Sequence, residues 1–208
     1  MPDGVPVLYA DDAIVVVDKP PGLLAVPGRG EAGQDCAATR VQLQFADALV
    51  VHRLDQATSG LLVFARGAAV QRWLSQAFAE RRVDKRYTAV VAGLLADDSG
   101  SIDFPLAADW PNRPRQQVDA QHGKPSLTHW HVLARDLSAG TTRVALEPLT
   151  GRSHQLRVHL LASGHPIVGD ALYAPALAPP RLMLHACALT LPHPHHGRAL
   201  NFSSNIPF

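Results

Sequence analysis

Most apolar positions in this chain come in short runs, and only one stretch repeats with a long helical period. Residues 5–9 and 13–18 read as short strands, the second β-branched from Ile14 to Val17. Lys19-Pro20-Pro21-Gly22 ends the second strand, and Pro27-Gly28-Arg29-Gly30 marks a loop. Residues 34–45 are patterned for a helix, and residues 61–65 form an apolar strand after a polar run at 52–60. The long period lies in residues 68–82. There Val70, Trp73, Leu74, Ala77 and Phe78 fall at i, i+3, i+4, i+7 and i+8, one apolar stripe. The last turn of that helix would carry Arg81 and Arg82, which suit the negative end of a helix dipole. Residues 85–91 alternate as a strand, with Lys85, Tyr87, Ala89 and Val91 on one face. Residues 102–106, 127–133 and 142–148 are further strands. Residues 154–163 form a short helix capped by Gly164, and residues 183–191 and 199–202 close the chain as strands.

Strands outnumber helices, and turns rather than helices join most of them. That pattern predicts an α+β fold with a largely antiparallel sheet flanked by helices, not a doubly wound parallel one. No internal repeat or low-complexity tract is present. The turn at 97–100 and the Pro-rich loop at 175–180 are too short to be domain linkers. A length of 208 residues suits one domain.

Composition excludes several classes. A chain that is 47% hydrophobic and 18% charged is an ordinary globular one. Cys36 and Cys187 lack metal-type spacing and make no disulfide framework, which fits a reducing, cytoplasmic setting. No apolar run reaches the ~18 residues of a membrane span, and Met1-Pro2-Asp3-Gly4 lacks the positive region of a signal peptide. Net charge is +1 but unevenly spread. Residues 1–50 carry three Lys/Arg against seven Asp/Glu, and residues 51–86 carry seven against three. A basic stripe ending in Arg81-Arg82-Val83-Asp84-Lys85-Arg86 is either a solvated helix end or a surface for phosphate. The sixteen arginines against three lysines reflect genome composition as readily as phosphate binding. The eleven histidines invite a metal test. The clusters His129/His131, His154/His159 and His193/His195/His196 all lack the two-His-plus-carboxylate spacing of a zinc site, so no metal is expected. There is also no Walker A run, no GxGxxG fingerprint and no HExxH helix, hence no sign of a nucleotide or redox cofactor.

The run His52-Arg53-Leu54-Asp55-Gln56-Ala57-Thr58-Ser59-Gly60 packs a base, a cation, a carboxylate and two hydroxyls into nine residues. Taken alone, such an Asp is usually a turn residue or helix cap. Other segments change its meaning. With Val16-Val17-Asp18-Lys19-Pro20-Pro21-Gly22-Leu23, Lys85-Arg86-Tyr87-Thr88, Thr150-Gly151-Arg152-Ser153-His154-Gln155-Leu156-Arg157, Gly164-His165-Pro166-Ile167-Val168-Gly169-Asp170 and Arg181-Leu182-Met183-Leu184-His185-Ala186, the run resembles, in the same order, the signature segments of the RluA family of pseudouridine synthases. Asp109-Trp110-Pro111-Asn112-Arg113-Pro114 and Gly123-Lys124-Pro125 resemble the family's dual-specificity branch. Its members modify a 23S rRNA hairpin and a tRNA anticodon stem-loop.

The resemblance implies a single catalytic domain over residues 1–208, without an S4 domain and with a central active-site cleft. It implies a cytoplasmic, monomeric RNA isomerase that uses no cofactor and acts on neither DNA nor membrane. It makes Asp55 the catalytic carboxylate, with Arg157 paired to it and Tyr87 against the uracil. It puts Arg53 in the space left by a flipped-out uridine, and Leu184 under the base. His52 and Thr58 are expected in the substrate-binding loop, and Lys85, Arg86, Arg113 and Arg115 at phosphates. The competing readings are a non-catalytic RNA-binding or chaperone module on the same fold, and a histidine-dependent metal hydrolase.

Overall fold

A computed structural model describes residues 4–177 and 181–208. The acidic start at residues 1–3 and residues 178–180 of the Pro-rich loop lie outside the described residues. Backbone contacts group the chain into two compact units, residues 1–85 with 186–206, and residues 86–185 with 207–208. The expected α+β mixture of a largely antiparallel sheet with helices is present in the strands and three α-helices of the described residues.

In the first unit, β1 (Val7–Ala10) pairs with β2 (Ile14–Lys19), and β2 with β4 (Ser59–Arg66). Strand β3 (Ala48–Val50) lies against the end of β4. Strand β11 (Leu184–Pro192), which enters this unit at Ala186, neighbours β4 and carries β12 (Ala199–Ser203). The β1–β2, β2–β4, β3–β4 and β11–β12 pairings are antiparallel. Residues 59–65 of β4 are buried without alternation, the mark of a strand covered on both faces. Gly60 makes that possible where β4 meets β11: a Cβ there would collide with the Ala186 carbonyl. Helix α2 (Ala68–Ala79) lays Val70, Leu74 and Ala77 into a core with Ile14, Val16, Leu61, Val63, Leu189 and Leu191.

The helix at 68–82 is shorter than its pattern suggests. Arg81 takes φ +59, its amide bonds to Phe78 and the Arg82 amide to Ala77. This is a left-handed helix stop with an arginine where glycine is usual. Arg81 and Arg82 therefore lie beyond the helix, not in its last turn. The helix expected at 34–45 contracts to α1 (Ala37–Gln42), because Cys36 accepts the Thr39 amide and Thr39 returns the bond to the Cys36 amide.

In the second unit the antiparallel order is β5 (Asp84–Ala92, joining at Arg86), β10 (Thr141–Pro148), β9 (Leu127–Asp136) and β6 (Ser99–Asp103). The strand expected at 102–106 is two strands. Pro105 has no N–H for a ladder, so β6 stops and β7 (Leu106–Ala108) pairs instead with the unforeseen β8 (Gln116–Val118). Helix α3 (Gln155–Ala162) ends as the sequence indicates. Gly164 at φ +83 sends its amide to Leu161, and His165 to Leu160. Its inner face packs Val158 with Leu106 and Tyr173. No helix among the described residues is long and apolar enough to cross a membrane.

Candidate active site

Asp55 stands in the loop between β3 and β4 and is partly exposed. The loop is fastened at several points. Thr58 is buried and its amide closes a turn onto the Asp55 carbonyl at 3.1 Å. Leu54 is buried, while Arg53 projects into solvent. Gln56 exchanges hydrogen bonds with Gly22, its carbonyl accepting the Gly22 amide at 2.8 Å and its Nε2 donating to the Gly22 carbonyl at 3.0 Å.

The strongest fastening is a lysine that no local sequence pattern singles out. Lys19, the last residue of β2, is fully buried. Its Nζ donates to the carbonyls of Pro20 (2.9 Å), Leu23 (2.8 Å) and Gln56 (3.1 Å). Burial pulls its pKa down to about 8, and the negative charge of Asp55 works in the opposite direction. A buried ammonium thus ties the loop after Asp55 to the end of β2 and supplies a positive charge toward the carboxylate. In the sequence it was marked only by its place at the Lys19-Pro20-Pro21-Gly22 strand end and within the Val16–Leu23 segment.

His52, expected among the substrate-binding residues, is taken up by the protein. Its ring stacks on Phe78 with centroids 4.7 Å apart, and its Nε2 accepts the Val63 amide at 3.1 Å. Burial, helped by the charge of Lys85, pushes its pKa down to about 3. A neutral imidazole that accepts a β4 amide prolongs the β3–β4 ladder and anchors the loop entrance. Lys85 is itself partly buried, and burial together with Arg81 lowers its pKa.

The second unit holds the other expected residues. Tyr87 is half-buried on β5, opposite Leu146 of β10. Arg86 is exposed and 3.6 Å from Glu147. Leu184 is buried at the start of β11. Arg157 is 6% exposed on α3. Its expected partner was Asp55 of the first unit; within its own unit the fork closes on Asp170, Nε to Oδ2 at 2.8 Å and Nη2 to Oδ1 at 2.7 Å. Two parallel charge-assisted bonds fix the guanidinium plane. Asp170 Oδ1 also accepts the amides of Leu172 and Tyr173, each at 3.1 Å. Gly169 at φ +81 lets the chain pass there, because a Cβ would strike the Arg181 carbonyl. The Arg157 guanidinium rides 5.0 Å from the ring centre of buried Tyr173, and the Tyr173 hydroxyl accepts the Gln116 amide at 2.8 Å and meets His154 Nδ1 at 2.7 Å. Asp170 ends the Gly164–Asp170 segment and Tyr173 follows it by three residues, but sequence spacing alone does not assign either to Arg157.

Several of the histidines are engaged with the protein. His159 lies between the Thr128 hydroxyl and the Phe104 carbonyl, each 3.0 Å from a ring nitrogen. Asp11, Asp12 and His193 bring possible ligand atoms within 4.8 Å of one another. However, His193 Nδ1 accepts the His195 amide, so its proton is on Nε2 and points to Asp11 Oδ2 at 3.0 Å. A cation on Nε2 would have to displace that proton and break an existing pair.

Comparison with known proteins fits this geometry. The family model described as RNA pseudouridylate synthase matches residues 13–162. The chain belongs to the RNA pseudouridylate synthase family. It is 52% identical over 206 residues to the dual-specificity RNA pseudouridine synthase RluA of Yersinia pestis, covering 97% of this chain and 99% of that protein. It is 50% identical to RluA of Salmonella typhi and 47% to RluA of Haemophilus influenzae, in both cases over 97% of this chain and 93% of theirs. Among synthase structures, human RNA pseudouridylate synthase domain containing 1 superposes with a TM-score of 0.82 at 31% identity, covering all of this chain and 87% of that one. Human RNA pseudouridylate synthase domain containing 4 superposes at 0.77 and 25% identity, over 97% and 88%. As a pseudouridylate synthase, the chain is an isomerase that makes pseudouridine in RNA.

Proposed function

We propose that this RNA pseudouridine synthase is dual-specific, acting on a uridine in a 23S rRNA hairpin and on one in a tRNA anticodon stem-loop, with Asp55 as the carboxylate of the chemical step. The observation that carries the substrate reading is 47–52% identity, over nearly the whole chain, to dual-specificity RluA proteins of three bacteria. The two units work as one catalytic domain on this reading, since the family match at 13–162 runs through both. A cytoplasmic, monomeric enzyme accords with its RNA substrate.

The reaction breaks the bond from ribose C1′ to uracil N1, turns the base, and joins C1′ to C5. The C5 hydrogen leaves as a proton and N1 gains one. The sum is an isomerisation, with no oxidant, nucleotide or metal in its balance. It does ask for an ionised carboxylate at the target nucleotide. Asp55 has the buried Lys19 ammonium close enough for the two charges to attract. Arg157 serves as the cation that orients the reacting carboxylate, and Tyr87 presents its ring to the uracil and its hydroxyl to the departing C5 proton. Leu184 is an apolar floor. Arg53, exposed two residues before Asp55, fills the stack the uridine leaves; flipping costs a few kcal/mol and gains from such a replacement. Arg86, Lys85, Arg113 and Arg115 meet phosphates, positioning RNA without reading its sequence.

Two measurements test this. Asp55→Asn should lower tritium release from RNA labelled at uracil C5 by at least about 10²-fold; a variant as active as the parent removes Asp55 from the chemistry. Pseudouridine mapping of cells lacking the gene should show losses in both 23S rRNA and tRNA. Loss in one class alone rules out dual specificity.

A further inference from the structure

Among the described residues Trp110 is the most exposed aromatic, 68% accessible. It sits at the tip of the β7–β8 hairpin, where a large apolar side chain gains nothing from folding. The tip is nevertheless built rather than loose. The Asp109 amide donates to Arg115 O, the Asn112 amide to Asp109 O, and the Arg115 amide to Asn112 O, at 3.0–3.1 Å. The Asn112 side-chain amide is 3.0 Å from both oxygens of the Asp109 carboxylate, which turns the one acidic group of the tip inward. The Arg113 guanidinium lies 3.2 Å from the centre of the Trp110 ring and covers part of it. The other end of the loop is moored close to functional residues. The Gln116 amide is held by the Tyr173 hydroxyl, and the Arg115 guanidinium lies 5.1 Å from the same ring that takes Arg157 at 5.0 Å.

A rigid, solvated indole with the Arg113 cation on its ring and the Arg115 cation two residues further on matches one ligand chemistry: an aromatic plane attached to a phosphate chain. We propose that Trp110 is a stacking platform for an unpaired base of the substrate RNA, with Arg113 and Arg115 at the phosphates beside that base. The inference rests on the RNA-modifying reading above and adds to it a contact away from the reacting uridine. Bases inside a duplex offer no free face, so the platform selects RNA whose loop can present one. Because Trp110 binds a base that does not react, it raises affinity and leaves the chemical step alone.

The probes are bulk tRNA and 23S rRNA from cells lacking the gene, and a fully paired RNA duplex. Trp110→Ala should raise KM and the dissociation constant for the two natural RNAs roughly 5- to 150-fold, the range seen when a base loses an aromatic partner. Single-turnover rates at saturation should change less than about threefold, Trp110→Phe should restore most of the affinity, and duplex binding should be equal in parent and variant. If the parent makes pseudouridine and Trp110→Ala does so with unchanged KM, the platform is overturned and the enzyme reading stands. An equal loss of duplex binding overturns it as well, since a general fold or charge effect would then explain the weakening. If the parent makes no pseudouridine in either RNA, the enzyme reading fails and takes the platform with it.

Discussion

Arg157 and Asp170 form a bidentate pair in the interior of the second unit, their side chains 7% and 1% exposed. A guanidinium held this way cannot swing. Asp170 occupies two of its five N–H donors and fixes the plane of the others. The pair fixes where the guanidinium points while adding little net stability, since burying two charges costs about as much as their attraction returns.

Removing one partner separates these effects. Asp170→Ala leaves a buried guanidinium without its carboxylate and should lower unfolding free energy by about 3–5 kcal/mol in urea titration. Asp170→Asn keeps the shape and loses the charge. It should fold, and its kcat should fall by roughly tenfold or more with little change in KM. Full activity in Asp170→Asn would mean that Arg157 is aimed by something else.

Lys19 gives opposite signs for stability and activity against pH. Its folded pKa of about 8 is below the ordinary lysine value of 10.5, so the folded state loses the proton first. The charge costs stability below pH 8, and that cost is relieved between pH 8 and 10.5. Activity should go the other way, with kcat/KM declining above pH 8 as the cation facing Asp55 is lost. Lys19→Met should abolish that alkaline limb and cost on the order of 2–4 kcal/mol, because the carbonyls of Pro20, Leu23 and Gln56 lose their common donor. A limb near pH 8 that persists in Lys19→Met belongs to another group.

Asp11 should be visible in acid unfolding. Partial burial would raise its pKa, but the Tyr9 hydroxyl, the amides of Ile14 and Ala13, and His193 outweigh that and hold it at about 2. Its folded value is below the ordinary 3.8, so its contribution is complete above pH 4 and lost as pH falls from 4 to 2. The contribution is about 1–2 kcal/mol, discounted because the side chain is 22% exposed. Asp11→Asn should flatten the stability curve in that interval, as read by urea midpoints at each pH. An unchanged slope would show that Asp11 is no more perturbed folded than unfolded.

Local pattern determined a good deal of this protein. The apolar stripe of α2, the alternation of β5 and the Gly164 stop of α3 all follow from interactions within a few residues, and the ends moved only where a neighbour intervened. Pro105 split a strand, Arg81 took a left-handed turn, and Cys36 with Thr39 delayed a helix. The ordered motifs were enough to place the chain among pseudouridine synthases. Tertiary structure decided who holds whom. Asp170 lies thirteen residues from Arg157 and Gln56 thirty-seven from Lys19. His52, whose position in the motif suggested substrate, found Phe78 and Val63 instead. A charged or polar side chain carries no pattern that names its partner, because its energy depends on which groups are desolvated beside it, and only the folded chain sets that.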